Sequence, residues 1–385
     1  MDFQLNFEQK MVQESTRKMV EREINPIMAA HDADKPLPKA AMQKIFASCA
    51  AMGLTGARIP EEAGGTAMPA LIMGLMYEQL PPAIALAVMA HEGTGSRLFN
   101  SSSPEQRERF LPGIIDGSTI TCTGVSEPGV GSDPRSIKTR AVEDGDGYII
   151  DGRKIWITNS TICDLMNVTC SVGNDERGLS QMMRFVVERQ KSPFSAREID
   201  VLGLKQGHIG EVLFEACRVP KENAMGEAGD AAKVLTLSWL ANRPVLGLAC
   251  VHLAQRALDM AVAYAADRSQ FGRPINNFQL IQGLLADIAA AVTTSRLLCY
   301  YALNCIDNGE RANHVSAMAK RHATVACNRA VSMAMEVHGA MGLTREMGLE
   351  QLFRDVRMFI VPDGTSQILT LIEGRELTGV PAYRH

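Results

Sequence analysis

The sequence predicts an α+β protein, mostly α, in three successive parts: an N-terminal α-helical domain (1–117), a middle antiparallel β-sheet or β-barrel (118–228) and a C-terminal four-helix bundle (229–385). Three observations lead there. Apolar residues recur at the helical period up to about Ile115 and again from Ala231. Between them lie short β-branched runs separated by Asp-Gly turns. The length, 385 residues, exceeds one ordinary core, since domains average ~150 residues.

In order, Phe7, Met11, Ser15, Met19 and Ile24 share a face of a first helix that is expected to stop at Pro26. Lys39 to Ala51 forms a second helix, and Gly64-Gly65 a loop. Met68 to Phe99 is long apolar helical material, broken by Glu78, Pro81 and Pro82 and so short of a membrane span. Ser103 reads as the N-cap of a helix over Pro104–Leu111. Strands are expected at Thr119–Val125, Tyr148–Ile150, Ile155–Thr158, Met166–Val172, Met182–Val187 and Glu211–Phe214. No βαβ unit of ~30 residues occurs among them, which argues against a Rossmann domain. Four helices follow: Val234–Ala266, Asn277–Asp307, His314–Val337 and Leu349–Phe359, with Gly339 and Gly342 between the last two.

Composition excludes several function classes. With 46% hydrophobic and 21% charged residues the chain is globular, not disordered. Its 39 basic and 43 acidic residues give a net charge of −4, which speaks against nucleic-acid or anionic-membrane binding. The nine cysteines include no CxxC pair, so no metal site is expected and the thiols fit a reducing compartment. The acidic start, with Asp2 and Glu8, lacks the basic and apolar regions of a signal peptide, so the expected location is cytoplasmic.

Four segments carry candidate chemistry. Ser126 to Asp133 ends a strand with glycines and hydroxyls that bring backbone N–H groups near a ligand; alone, it is as readily a surface turn. Trp156 and Thr158, two apart on one strand, offer a flat ring and a hydroxyl to a planar cofactor, or else belong to the core. Arg268 and Arg273 flank Gly272 where they can clasp a pyrophosphate, or simply cap a helix C-terminus. In Pro362-Asp363-Gly364-Thr365 an acid and a hydroxyl precede a new helix at Ser366. Asp363 is a candidate base, or a helix-start acid that favours the dipole.

Taken together and in order, Ser126–Asp133, Lys154–Asn159, Asp267–Ile275, Met335–Glu346 and Phe353–Ile368 resemble the flavin-dependent acyl-CoA dehydrogenase family, and the resemblance runs from Phe7 to about Thr378. It implies a helical domain, a small β-barrel and a four-helix bundle, with FAD between the last two. It places Ser126 at the flavin edge and Trp156 and Thr158 beside the isoalloxazine. Arg268, Gln270 and Phe271 would reach the FAD of a neighbouring subunit, and Gly339, Thr365 and Gln367 the pyrophosphate and adenosine portions. Ser132 would lie on the acyl-CoA side of its loop, His91 and Glu92 along the acyl pocket, and Arg243 near the CoA or the active-site acid. An acyl-CoA substrate, electron-transfer flavoprotein as acceptor and a homotetramer are implied as well.

Two departures from the family pattern stand out. The usual base is Glu, and here Asp363 is one methylene shorter, in a setting where a ~1 Å misplacement can cost ~10²-fold in rate. Some branches carry the base just before the arginine of the first bundle helix, but here that residue is Asn242, which cannot take the proton. The shortened acid tilts the expected substrate towards branched, alicyclic or dicarboxylic acyl groups. The alternatives are a same-fold enoyl-CoA reductase, oxidase or desulfinase, and a non-catalytic flavin- or CoA-binding protein.

Overall fold

The structure, a computed structural model, describes residues 4–176, 178 and 180–382, with the backbone alone for 232–237. Helix α1 (Phe7–Met19) starts at Asn6, whose side chain accepts from Gln9 N while Gln9 returns the bond to Asn6 N. It does not stop at Pro26 as expected. A π-helical turn (Val20–Ile24), closed by Asn25 N donating to Val20 O, carries it into α2 (Asn25–Ala29), with Pro26 in the first turn of that segment. Helices α3 (Lys39–Ala51), α4 (Ala70–Tyr77), α5 (Pro82–Phe99) and α6 (Pro104–Ile115) complete the N-terminal part. Ser103 and Gln106 form the capping box that opens α6.

The middle part is a mixed sheet: β1 (Thr121–Gly124), β2 (Arg140–Asp144), β3 (Gly147–Thr158), β4 (Leu165–Asn174), β5 (Ser180–Glu188), β6 (Ser195–Glu198), β7 (Ile209–Pro220) and β8 (Ala224–Met225). Its order is β6-β7-β3-β2-β4-β5-β8, with β1 also on β4. The expected antiparallel barrel is not what forms. Strands β1 and β2 run parallel to β4, and the β2–β3 hairpin is part of the long connection that a parallel pair requires. The path ends at β6 and β8, which are short and do not pair with each other, so the sheet stays open.

In the C-terminal part three long helices, α7 (Ala231–Asp267), α8 (Gln279–Asp307) and α9 (Asn313–His338), pack on one another. A small hairpin of β9 (Ser269–Gln270) and β10 (Arg273–Pro274) links α7 to α8. The fourth expected helix forms as the shorter α10 (Leu349–Met358), and a further one, α11 (Ser366–Thr378), follows; both lie against α9, so the arrangement is three long helices with two short ones rather than a plain four-helix bundle. By length and composition alone, Ser238–Asp267 and α8 are apolar enough to cross a membrane; the first is mostly buried inside the protein.

Helix α5 fixes where the three parts meet. It packs on both α7 and β1, and its small residues leave it buried on nearly every side. A helix buried all round brings any polar side chain it carries into the interior. Here those include His91, Glu92 and Arg97.

Candidate active site

Asp363 sits in the loop between α10 and α11, at φ +53°, a left-handed conformation that Asp tolerates better than most residues, and Gly364 follows at φ +105°. Two buried cations hold this turn by its carbonyls. Lys320 Nζ, from α9, donates to Ile360 O (3.1 Å) and Gly364 O (2.6 Å). Arg243 Nε, from α7, donates to Asp363 O (3.3 Å), while its Nη1 donates to Asn313 Oδ1 (2.8 Å). With the backbone tied, the carboxylate is left over: Asp363 Oδ2 is buried and has no hydrogen-bond partner.

The surroundings are strongly positive. Burial lowers Lys320 to about 8 and Arg97 to about 10, and it lowers Arg243 too; the Asp363 charge opposes the shift in all three. Arg58 also senses Asp363, but its own partner is Glu92. Arg58 Nε lies 2.9 and 2.8 Å from the two Glu92 oxygens, Nη2 adds a third contact, and Arg58 N donates to Oε1 (3.1 Å). Burial pulls the Arg58 guanidinium down, yet Glu92 outweighs that and leaves it raised.

His91, next to Glu92, is equally committed. Its Nε2 donates to Ile114 O (2.9 Å) and its Nδ1 accepts from Thr121 N (3.2 Å), which selects one neutral tautomer. Burial lowers its pKa to about 4.

Ser126 and Ser132 lie on a loop closed by Glu127 and Val130, which bond each other's backbones (2.9 and 3.0 Å). Beneath it Lys154, fully buried on β3, donates to Val125 O (3.0 Å) and Glu127 Oε1 (2.8 Å). Glu127 also accepts from Lys138 N (2.7 Å) and Thr139 N (2.9 Å). Ser126 O takes Ile155 N at 2.9 Å, tying the loop to β3. Just beyond, the pairing of β3 with β7 slips between Lys154 and Ile157. At that bulge Trp156 adopts φ +63° and keeps 59% of its surface exposed. Thr158 is half-buried at the strand end.

At the other end of the C-terminal part, Gly339 terminates α9 at φ +57°, with nothing where a Cβ would stand. The preceding His338 stacks on Tyr264 at 4.3 Å and has a buried Nε2 without a partner. Thr365 caps α11 by accepting from Ile368 N (3.3 Å), Ser366 Oγ is buried and unpartnered, and Gln367 is exposed. Arg268 closes α7, and Gln270 belongs to the β9–β10 hairpin. Its turn residues Phe271 and Gly272 both have positive φ, as a two-residue hairpin requires, and Phe271 is 94% exposed.

The structure thus joins Asp363, Arg243 and the Arg58–Glu92 pair electrostatically, while among the described residues no hydrogen bond connects the hairpin residues 268–271 to the Asp363 loop. The sequence reading missed Arg58, Arg97 and Lys320. For Lys320 a signal existed: with Ser316, Thr324 and Cys327 it falls on the helix face that turns out buried, and a lysine there needs a polar reason. An FAD fits these residues: an exposed Trp156, an open cradle at Gly339, an unpartnered His338 Nε2 beside it, and an unpartnered Ser366 Oγ at the N-terminus of α11.

Known proteins agree along the whole chain. Models of the acyl-CoA dehydrogenase N-terminal, middle and C-terminal domains match residues 6–118, 122–217 and 233–378. The chain is 34% identical to a cyclohex-1-ene-1-carbonyl-CoA dehydrogenase of Geobacter metallireducens, over 97% of this chain and 98% of that one. It is 30% identical to a probable acyl-CoA dehydrogenase of Bacillus subtilis, over 98% and 100%. The butyryl-CoA dehydrogenase structure from Megasphaera elsdenii superposes with a TM-score of 0.90 at 26% identity, covering 98% of this chain and 100% of that one. Three domain matches in register and relatives spanning nearly its full length show that the chain belongs to the acyl-CoA dehydrogenase family of FAD-dependent oxidoreductases.

Proposed function

We propose that Asp363 takes the α-proton of an acyl-CoA thioester while the β-hydrogen leaves as hydride, giving the 2-enoyl-CoA. The observation that carries this reading is the Asp363 carboxylate oxygen, buried yet unpartnered. A buried acceptor that no protein donor satisfies is open to a proton delivered by substrate. Bound FAD supplies the two-electron acceptor for the hydride.

The chain's own residues supply position and field. Arg243 and Lys320 clamp the turn by its carbonyls, so the shorter acid is set by backbone conformation rather than by side-chain reach. Their charges, with that of Arg97, favour the negative charge that develops as the α-proton leaves. Trp156 and Gly339 would receive the flavin dinucleotide, Ser126 its edge, and Thr365 with Gln367 its far end.

Electron-transfer flavoprotein as acceptor, a cytoplasmic location and a homotetramer belong to the same reading. Self-association is supported by the exposed Leu280, Leu297 and Tyr301 on α8 and Val325 on α9.

The test is an anaerobic titration of the yellow protein with straight, branched, cyclic and ω-carboxylated acyl-CoAs, following flavin absorbance. Wild type should bleach with at least one class. Asp363→Asn should retain FAD and bleach about 10²- to 10⁴-fold more slowly, the usual worth of a general base. Bleaching of the variant at the wild-type rate would remove Asp363 from the mechanism.

A further inference from the structure

We propose that Arg97 makes this pocket selective for an acyl group that ends in a carboxylate, an inference that rests on the acyl-CoA reading above. Arg97 lies in the last turn of α5 and is 7% exposed. Its Nε donates to Ser238 Oγ of α7 (2.9 Å) and its Nη1 to Thr123 Oγ1 of β1 (3.1 Å). Both partners are neutral hydroxyls, whereas the neighbouring Arg58 has a carboxylate partner in Glu92. The neighbouring acids are spoken for. Glu92 is fully held by Arg58, and Asp363 is the proposed base.

Three donors from different elements converge beside Gly93. A Cβ there would stand 3.1 Å from Arg58 Nη2, 3.5 Å from Arg97 Nη1 and 3.8 Å from Asn242 Nδ2. The space is kept by the absence of a side chain, and it is lined by nitrogen rather than by carbon. The adjoining sheet face has the same character. Thr123 on β1 pairs with Asn167 on β4, and Thr169 pairs with Arg184 on β5. Arg184 is 1% exposed, its charge acts on Arg97, and its Nε and Nη1 lack partners. The Asn167 amide and the Thr169 hydroxyl are likewise buried and unpartnered.

A pocket built for an alkyl chain or a ring would leave the Arg184, Asn167 and Thr169 groups buried and unsatisfied. An acyl-borne carboxylate resolves the imbalance. It is planar, accepts two parallel bonds from a guanidinium, and meets a buried positive charge whose hydrogen bonds run to hydroxyls and not to an acid. The anion is assigned to the acyl group rather than to the CoA phosphates because Arg97 Nη1 converges beside Gly93 with Asn242 Nδ2, and Asn242 directly precedes the Arg243 that bonds Asp363 O at 3.3 Å. The reacting carbon must lie beside that residue. Among the branched, alicyclic and dicarboxylic groups the sequence left open, the pocket chemistry selects the last.

Purified holoenzyme would be assayed with acyl-CoAs matched in carbon count: pentanoyl against pentanedioyl, and hexanoyl against hexanedioyl. Wild type is expected to favour the diacid of at least one pair by about 10²-fold in kcat/KM, as sites built to bond a polar group reject analogues that lack it. Arg97→Met should collapse that ratio to about unity, and Arg97→Lys should restore part of it. Equal or better turnover of the monoacids by wild type overturns the proposal without any variant. A preference that persists in Arg97→Met overturns the assignment to Arg97. If no acyl-CoA of any kind bleaches the flavin, the dehydrogenase reading itself falls and takes this one with it; bleaching by monoacids alone removes only the carboxylate specificity.

Discussion

His91 and Asp363 are both buried titratable groups at one site, and their hydrogen bonds set them apart. His91 donates from one ring nitrogen and accepts at the other, so protonation would turn Nδ1 towards another N–H. Its folded pKa of about 4 lies below the ordinary value of 6.5. Between those values the unfolded chain binds the proton and the folded chain does not, so stability falls as pH drops from 6.5 to 4 and the loss levels off below 4. By pH 5 the cost is about 2 kcal/mol. Urea unfolding at pH 7 and pH 5 should show wild type losing more stability than His91→Gln; equal losses would contradict the neutral assignment. His91 and Glu92 were singled out in the sequence by the family resemblance, which put them along the acyl pocket. That Arg58 occupies both oxygens of Glu92 was not legible there, since the two side chains come from separate elements.

At the scale of elements, β3 supports the site through one buried pair. Burial would raise the Glu127 pKa, but Lys154 and the Thr139 bonds leave it lowered. Removing Lys154 strands a buried carboxylate beneath the Ser126 loop. Lys154→Met should therefore cost about 3–5 kcal/mol in urea unfolding, and the double variant with Glu127→Gln should cost clearly less. A double variant as unstable as the sum of the two singles would mean the residues act independently. The capping box at Ser103 and the turn before α11 could be read in sequence because both are local. The bulge at Trp156 could not, because it is defined by how β3 registers on β7, far along the chain. Likewise Pro26 looked like a stop, and only the π-helical turn before it lets the helix continue.

For the whole molecule, the order helix–sheet–helix followed from periodicity, but closure of the sheet did not. Whether strands close depends on their ends, and the end strands β6 and β8, of four and two residues, do not pair. The active site is a property of this assembly: Arg58 and Arg97 come from the N-terminal part, Thr123 and Trp156 from the sheet, and Arg243, Lys320 and Asp363 from the C-terminal helices. Motif spacing located the acid, the tryptophan and the glycine, whereas the cations that give the pocket its charge carry no local pattern. The central claim is that Asp363 moves the α-proton, and isotope exchange isolates that step from hydride transfer. Anaerobic holoenzyme in deuterated water would be mixed with an acyl-CoA substrate, and the recovered thioester examined for α-deuterium. The account predicts deuterium at the α-carbon with wild type and none above background with Asp363→Asn that still holds FAD. Exchange by the variant at the wild-type rate would contradict it.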